Sequence, residues 1–369
     1  MKLANGYEIE PERYQRFDEK MHMIYRHMWD ESLPTYKQMF YTNIMDHIKE
    51  NKEGYTRFDF AFVKSAWTVY KKFPMAFSWT GSDQNLGDFY GTEWTKKPHK
   101  IDNIPVLTRK VKKAAKFFGA ALVGITNIDK KWIYNSGMNM GALSKKDMMK
   151  NAMRKGESSK PPFDQEISLP NGISNAIVMA IEMDPIGIAT APAQPASAAA
   201  ANGYSRMAFT LACIGELIRN LGYTAIQCGN DTAISIPLAV DAGLGALGRI
   251  GLLVTKKYGP RVRLCKVFTN MPLEHDQPDL DFITKVDNIC KECTKCADAC
   301  ETGAISSDSE KSFSAPTPSN NPGVKKWFVD VEKCFEYWVE NSGDCGKCIA
   351  ACPLSKIQRE ISPTEFWNS

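Results

Sequence analysis

No run of eighteen apolar residues occurs in this sequence of 369, so no segment has the length that a membrane-crossing helix needs. Histidine is scarce. The five, His22, His27, His47, His99 and His275, are scattered, and neither His-Glu-x-x-His nor Asp-x-His-x-x-Gly is present. Histidine-based metal catalysis therefore has little to stand on. No Ser-His-Asp or Cys-His constellation stands out. A dominant charge is missing too: a net +4 is too small to argue for nucleic acid. Two adjacent arginines occur nowhere and no signal peptide is visible, so a cytosolic protein or a processed form is expected. The bulk composition, 43% hydrophobic and 24% charged, is that of a globular chain. Its length suits one large domain or two to three smaller ones.

Cysteine is abundant and unevenly placed. Of the 11 cysteines, eight fall in the last eighty residues. The first group is Cys290-x2-Cys293-x2-Cys296-x3-Cys300; the second is Cys334, then Cys345-x2-Cys348-x3-Cys352-Pro353. Two-residue gaps let a tight loop place three thiolates around one iron–sulfur cube, while the fourth cysteine points to a second cube. On that logic one [4Fe-4S] cluster takes Cys290, Cys293, Cys296 and Cys352, and the other takes Cys300, Cys334, Cys345 and Cys348. Cys334, separated from Cys345 by ten intervening residues, departs from the bacterial run. Zinc is the ordinary reading of a lone Cys-x-x-Cys, but two nested groups ending in Cys-Pro favour clusters. A disulfide framework is not needed in a chain long enough to build its own core. Cys213, Cys228 and Cys265 lie in apolar surroundings and are expected to be buried small hydrophobes.

Upstream the texture divides. Residues 1–105 are rich in aromatics and methionine, with helix expected over 16–29 and 34–49 and strand over 57–63. The stretches 73–79 and 81–87 read as loop. From Val106 helix and strand alternate: a basic helix over 108–118 stopped at Gly119, strands over 121–125 and 176–182, a helix over 204–221, a strand over 224–228, a short helix over 234–242, and strands over 251–255 and 261–269. Residues 130–172 are polar and Lys- and Met-rich, as an insertion would be. The Ala- and Pro-rich stretch 189–203 reads as a linker or as backbone that a flat ligand can approach closely. The expected organisation is an N-terminal region (1–105), an α/β core (106–281, insertion about 130–173) and an iron–sulfur module with tail (282–369).

Gly243-x-Gly245-x-x-Gly248 matches a dinucleotide fingerprint in letters only. That motif should follow a strand, open a helix and be trailed by an acid. Here it follows a helix and enters a strand, and no acid occurs between Arg249 and Leu273. The glycines still let a backbone pass close to something large. The six basic residues from Arg249 to Lys266 read mostly as a solvated hairpin face. Arg263 and Cys265 share one face of their strand; if that face is inward, Arg263 needs a partner.

The cysteine groups, joined to Gly203-Tyr204-Ser205-Arg206-Met207, Gly229-Asn230-Asp231, the 243–251 glycine segment and Pro260-Arg261-Val262-Arg263, resemble corrinoid-dependent reductive dehalogenases of the respiratory type. The resemblance covers about 106–352. It implies a cobalamin-binding α/β core with an N-terminal α+β region and a ferredoxin-like module carrying two [4Fe-4S] clusters. The cobalamin is base-off, without a protein histidine. Gly203, Gly243, Gly245, Gly248 and Arg249 are the expected corrinoid contacts. Tyr204, Asn230 and Arg263 match the family's catalytic trio. Singly, each has a plain structural reading: a satisfied tyrosine, a turn asparagine, an ion-paired arginine.

The implied activity is removal of halogen from a small organohalide, a chlorinated alkane or alkene, by reduced cobalt. The clusters relay electrons from a low-potential donor, and Tyr204 supplies the proton. Trp67, Trp79 and Tyr90, with Trp327 or Trp338, are the expected pocket aromatics. Family members are exported and held peripherally at the outer face of the cytoplasmic membrane by a small anchor protein; a homodimer is compatible, nucleic acid is not expected, and a cytoplasmic location is the alternative. Two rival functions are an epoxyqueuosine reductase-like enzyme, which would place an acid at Tyr204, and a ferredoxin-type electron carrier.

Overall fold

The computed structural model describes residues 3, 5–38, 43–72, 97–137 and 165–369. Trp79 and Tyr90, the loop stretches 73–79 and 81–87, and most of the expected insertion lie outside them.

The centre is a four-stranded sheet. Its strands are β1 (Leu122–Asn127), β2 (Asn175–Glu182), β3 (Ala225–Cys228) and β4 (Val262–Thr269), in the order β1-β2-β4-β3 and antiparallel at every pairing. β2 and β4 are nearly continuous apolar runs, as strands covered on both faces must be. The register pairs Ile177 with Val267, Met179 with Cys265 and Ile181 with Arg263. On one face Ile177, Met179, Cys265 and Val267 pack under Val111 and Ala115 of helix α3 (Ile104–Phe117) and under Met207, Leu211 and Ile214 of helix α5 (Gln194–Asn220). On the other face Val178, Leu264 and Phe268 meet Leu238 and Val240 of α6 (Ser235–Asp241), together with Trp132. Alternation along β4 therefore points Arg263 toward α5 and Lys266 toward α6.

Helix α5 begins ten residues earlier than the sequence suggests. The stretch 189–203 is not a linker: Ala196, Ala198, Ala200 and Ala201 are at most 2% exposed within the helix. Small side chains let α4 (Pro185–Ala189) approach so closely that a Cβ on Gly187 would lie 2.9 Å from Ala199 Cβ. A second correction falls at 57–63. The alternating Phe residues suggest a strand, but the chain forms helix α1 (Arg57–Ala66), opened by a capping box in which Thr56 and Asp59 serve each other's backbone N–H. Helix α2 (Thr68–Lys72) follows. The helix expected over 16–29 shrinks to a 3-10 turn (Glu19–Met21) and one α-turn (Met23–Arg26), and among the described residues of 34–49 helix begins at Ile44, in Ile44–Glu50.

The N-terminal arm crosses the molecule. Arg16 donates to the carbonyls of Ile133, Tyr134 and Ile167, and Arg26 pairs with Asp30 and Glu332. The C-terminal portion holds α7 (Leu280–Glu292), α8 (Lys295–Asp298), α9 (Val331–Glu340) and α10 (Lys347–Ala351). It docks on α4 and α5 through Cys296, Ile305 and Ile349 against Met183, Ile188 and Ala200. Among the described residues no helix is long and apolar enough to cross a membrane.

Candidate active site and cluster sites

Three elements converge on one phenol. Tyr204 lies in α5, Asn230 in the loop after β3, and Arg263 in β4 on the face that α5 covers. Gly203 makes the approach possible, since a Cβ there would stand 3.0 Å from Arg263 Cγ. Asn230 Nδ2 donates to the Tyr204 hydroxyl at 2.8 Å. The Arg263 guanidinium sits 4.9 Å from the centre of the Tyr204 ring. Trp67, just past α1, stacks on that ring at 5.0 Å, and Tyr70 of α2 meets it edge-on at 5.4 Å. Tyr204 and Arg263 are half-buried and Asn230 is exposed, so the group opens outward. Arg263 Nε is buried without a hydrogen-bond partner among the described residues. The guanidinium's charge also reaches the buried Asp344 carboxyl, pulling it down against the upward push of burial.

The Asn230 loop is braced from beneath by a residue the sequence reading passed over. Lys266, wholly buried, donates to the carbonyls of Gly229 (2.6 Å), Asp231 (2.9 Å) and Ala233 (2.9 Å) and to Ser235 Oγ (3.1 Å). The Tyr134 hydroxyl donates to the Asn230 carbonyl at 3.1 Å. The Asp231 carboxylate accepts from Gly229 N and Thr232 Oγ1, and Thr232 takes a left-handed backbone, φ +70. Burial pushes the Asp231 carboxyl up and the Lys266 ammonium down, and each charge opposes the other's shift. A lysine inside the apolar run 262–269 was the visible signal.

The cysteines gather as their spacing suggests. Cys290, Cys293, Cys296 and Cys352 line one cavity with Gly248, Arg249, Ile250 and Leu354. Cys334 and Cys348 each feel the charges of Cys345 and Cys300, the remaining two. Among the described residues no three ligating side chains converge on a single ion. The first four thiols instead ring a hollow, the arrangement a cube of iron and sulfide fits. Burial pushes the Cys334 thiol up to about 12 and Cys296 likewise, with Arg249's charge pulling Cys296 back. Cluster iron must supply the charge that makes such thiols ligands.

Other expected contacts have partners within the chain. Arg249 lines the first cluster cavity, and its guanidinium donates to the carbonyls of Cys290, Ser306 and Asp308. Gly243, Gly245 and Gly248 are accounted for by the chain itself, since a Cβ would meet Gln277 O at 2.6 Å, Val254 O at 2.2 Å and Val254 Cγ2 at 2.8 Å respectively. Trp327 stacks on Arg249, and Trp338 packs with Phe335. Cys228 and Cys265 are buried, while Cys213 is half-buried.

Residues 289–356 match a 4Fe-4S dicluster domain family. Across 319 residues, 80% of this chain, the sequence is 34% identical to a tetrachloroethene reductive dehalogenase of Desulfitobacterium hafniense. The chain belongs to the reductive dehalogenase family. Members of that family are oxidoreductases that use a corrinoid and two [4Fe-4S] clusters. This reductive dehalogenase chain covers 54% of that relative's length, so it spans about half of it. Its fold is that of the catabolic reductive dehalogenase NpRdhA, with TM-score 0.65 at 20% identity over 95% of this chain and 43% of that one. An epoxyqueuosine reductase of Lactococcus garvieae (strain Lg2) matches more weakly, 27% identical over 39% of this chain and 38% of its own.

Proposed function

We propose that this chain catalyses reductive removal of halogen from a small organohalide, a chlorinated alkane or alkene, with Tyr204 as proton donor. The hydrogen bond from Asn230 Nδ2 to the Tyr204 hydroxyl at 2.8 Å carries the reading. An amide that donates to the phenol oxygen leaves the O–H proton free to face a substrate. Once that proton has passed to carbon, Asn230 and the Arg263 guanidinium stand ready to hold the phenolate. Trp67 and Tyr70 fix the ring's plane and give the site an aromatic wall suited to a small apolar substrate.

When bound, the corrinoid supplies strongly reducing, nucleophilic cobalt to the carbon–halogen bond. The unpartnered Arg263 Nε fits an acceptor of that group or a departing halide. Cys290, Cys293, Cys296 and Cys352 would hold one cluster and Cys300, Cys334, Cys345 and Cys348 the other, receiving electrons from a low-potential donor. The division into 1–105, 106–281 and 282–369, with peripheral attachment at the outer membrane face through a small anchor protein, belongs to the same proposal. An epoxyqueuosine-type reaction is disfavoured because a tyrosine stands where that chemistry places an acid.

The test is a panel of halogenated methanes, ethanes and ethenes offered with reduced viologen to wild-type and Tyr204→Phe protein, both loaded with corrinoid and clusters. Turnover by wild type and a loss of at least about a hundredfold in kcat for the variant is expected, the range of a general acid's contribution. A variant as fast as wild type removes Tyr204 from the role, and a wild type inert to the whole panel removes the activity.

A further inference from the structure

Arg249 is 1% exposed and follows directly on Gly248 at the wall of the Cys290–Cys293–Cys296–Cys352 cavity. A buried guanidinium ordinarily has a carboxylate against it. This one does not: each of its acceptors among the described residues is a backbone carbonyl. Nε and Nη2 donate to Cys290 O, at 2.9 and 2.5 Å, and Nη2 also reaches Lys291 O at 3.4 Å. Nη1 donates to Ser306 O at 2.7 Å and Asp308 O at 2.8 Å. Its flat face lies 4.7 Å from the Trp327 ring, which is held in place by its own bond to Asp308 O at 2.9 Å. The fork thus caps the carbonyl end of α7, braces the 306–308 turn, and is locked by an aromatic plate. It carries a full positive charge held in one place.

Such a charge needs an anion, and what the cavity holds is four cysteines. We propose that Arg249 supplies the fixed charge that sets the reduction potential of the cluster bound by Cys290, Cys293, Cys296 and Cys352. Reduction adds one electron to the cluster, taken from an external donor, with no bond made or broken in the protein. A cation enclosed beside the cluster favours the more negative, reduced form, and burial keeps solvent from screening it. Arg249 thereby holds this cluster at a higher potential than four thiolates alone would give. The inference rests on the dicluster assignment and is independent of the substrate.

The experiment is a mediated redox titration followed by electron paramagnetic resonance on the full chain with clusters reconstituted. It compares wild type, Arg249→Met and Arg249→Lys, each assayed for iron. In Arg249→Met, one cluster is expected to show at least a tenfold lower reduced-to-oxidised ratio at a fixed potential, about 59 mV for one electron, with the other unchanged. Arg249→Lys, which keeps the charge and loses the fork, should stay within that tenfold window. Arg249→Met with full iron and both midpoints unmoved overturns the proposal, as does a lysine variant that falls as far as the methionine one. If the methionine variant loses iron, Arg249→Gln takes its place as the uncharged variant: a midpoint lowered at least tenfold upholds the charge, and an unmoved one overturns it.

Discussion

A fully buried lysine must find its partners inside the protein, and Lys266 finds three carbonyls in the one loop that presents Asn230 and a fourth partner, Ser235, at the start of α6. Lys266→Met would leave the carbonyls of Gly229, Asp231 and Ala233 buried without that donor. Each orphaned acceptor costs roughly 1–3 kcal/mol, so a loss on the order of 3 kcal/mol is expected in chemical denaturation of the cluster-loaded protein, with Asn230 no longer fixed against Tyr204. A loss under about 0.5 kcal/mol would mean the loop holds itself. Asp241 is the opposite kind of residue. Burial lifts its carboxyl from 3.8 to about 6, against the bond it accepts from Asn5 Nδ2 at 2.7 Å. Its folded-state pKa is raised, so between about pH 4 and 6 the folded state binds the extra proton. Stability from this group is then present at the acid end and lost as pH rises through about 6. Asp241→Asn should flatten the fall in stability over that window, and an unchanged pH slope would remove Asp241 as its source. The trio of Tyr204, Asn230 and Arg263 was readable in the sequence because short motifs flank each member. The brace under it was not, since nothing in a lone lysine says which loop its ammonium will enter.

Elements were readable where one signal dominated. The apolar runs of β2 and β4 announce strands, and Gly119 at φ +102 ends α3 where the sequence suggests. The errors fall where two signals compete. At 57–63, alternating Phe58, Phe60 and Phe62 outweighed the Thr56–Asp59 capping box, yet the box wins because Phe60 turns inward while Phe58 and Phe62 rest on Trp367. At 194–203, alanine and proline suggested a linker, but Pro195 sits in the first turn of α5, where it costs no hydrogen bond. The turn at Gly259 joins one element to a cluster ligand. It takes φ +56, and a Cβ there would stand 2.0 Å from Leu354 O, two residues past Cys352. Arg261 Nε fastens the same segment by donating to Ser355 O at 2.7 Å. Gly259→Ala should therefore push 352–355 outward, costing on the order of 3 kcal/mol. It should also lower iron binding at the cavity that Cys352 completes, while the other cluster persists. Full iron with a wild-type melting temperature would show that the turn yields at no cost.

The molecule as a whole is held together by segments that cross it. The N-terminal arm ties the core to the cluster portion: Arg16 holds carbonyls of 133, 134 and 167, and Arg26 reaches Ser319 and Glu332. The cysteines cross in the same way. Cys352, from the second motif, closes the cavity of the first, and Cys300, from the first, lies with Cys334, Cys345 and Cys348. On the proposed ligand sets neither cluster is completed by its own motif, so the stretch 290–352 should order as one unit. The spacing alone suggests this crossing, because in two-cluster ferredoxins the cysteine three residues past the triplet serves the other cube. It separates two variants that a simple motif-by-motif arrangement would treat alike. Cys352→Ser should alter the resonance of the cluster whose midpoint responds to Arg249→Met and leave the other unshifted. Cys300→Ser should do the reverse, although Cys300 sits in the same motif as the first cluster's other three ligands. If Cys300→Ser instead perturbs the Arg249-sensitive cluster, each motif builds its own cube and the crossing is wrong.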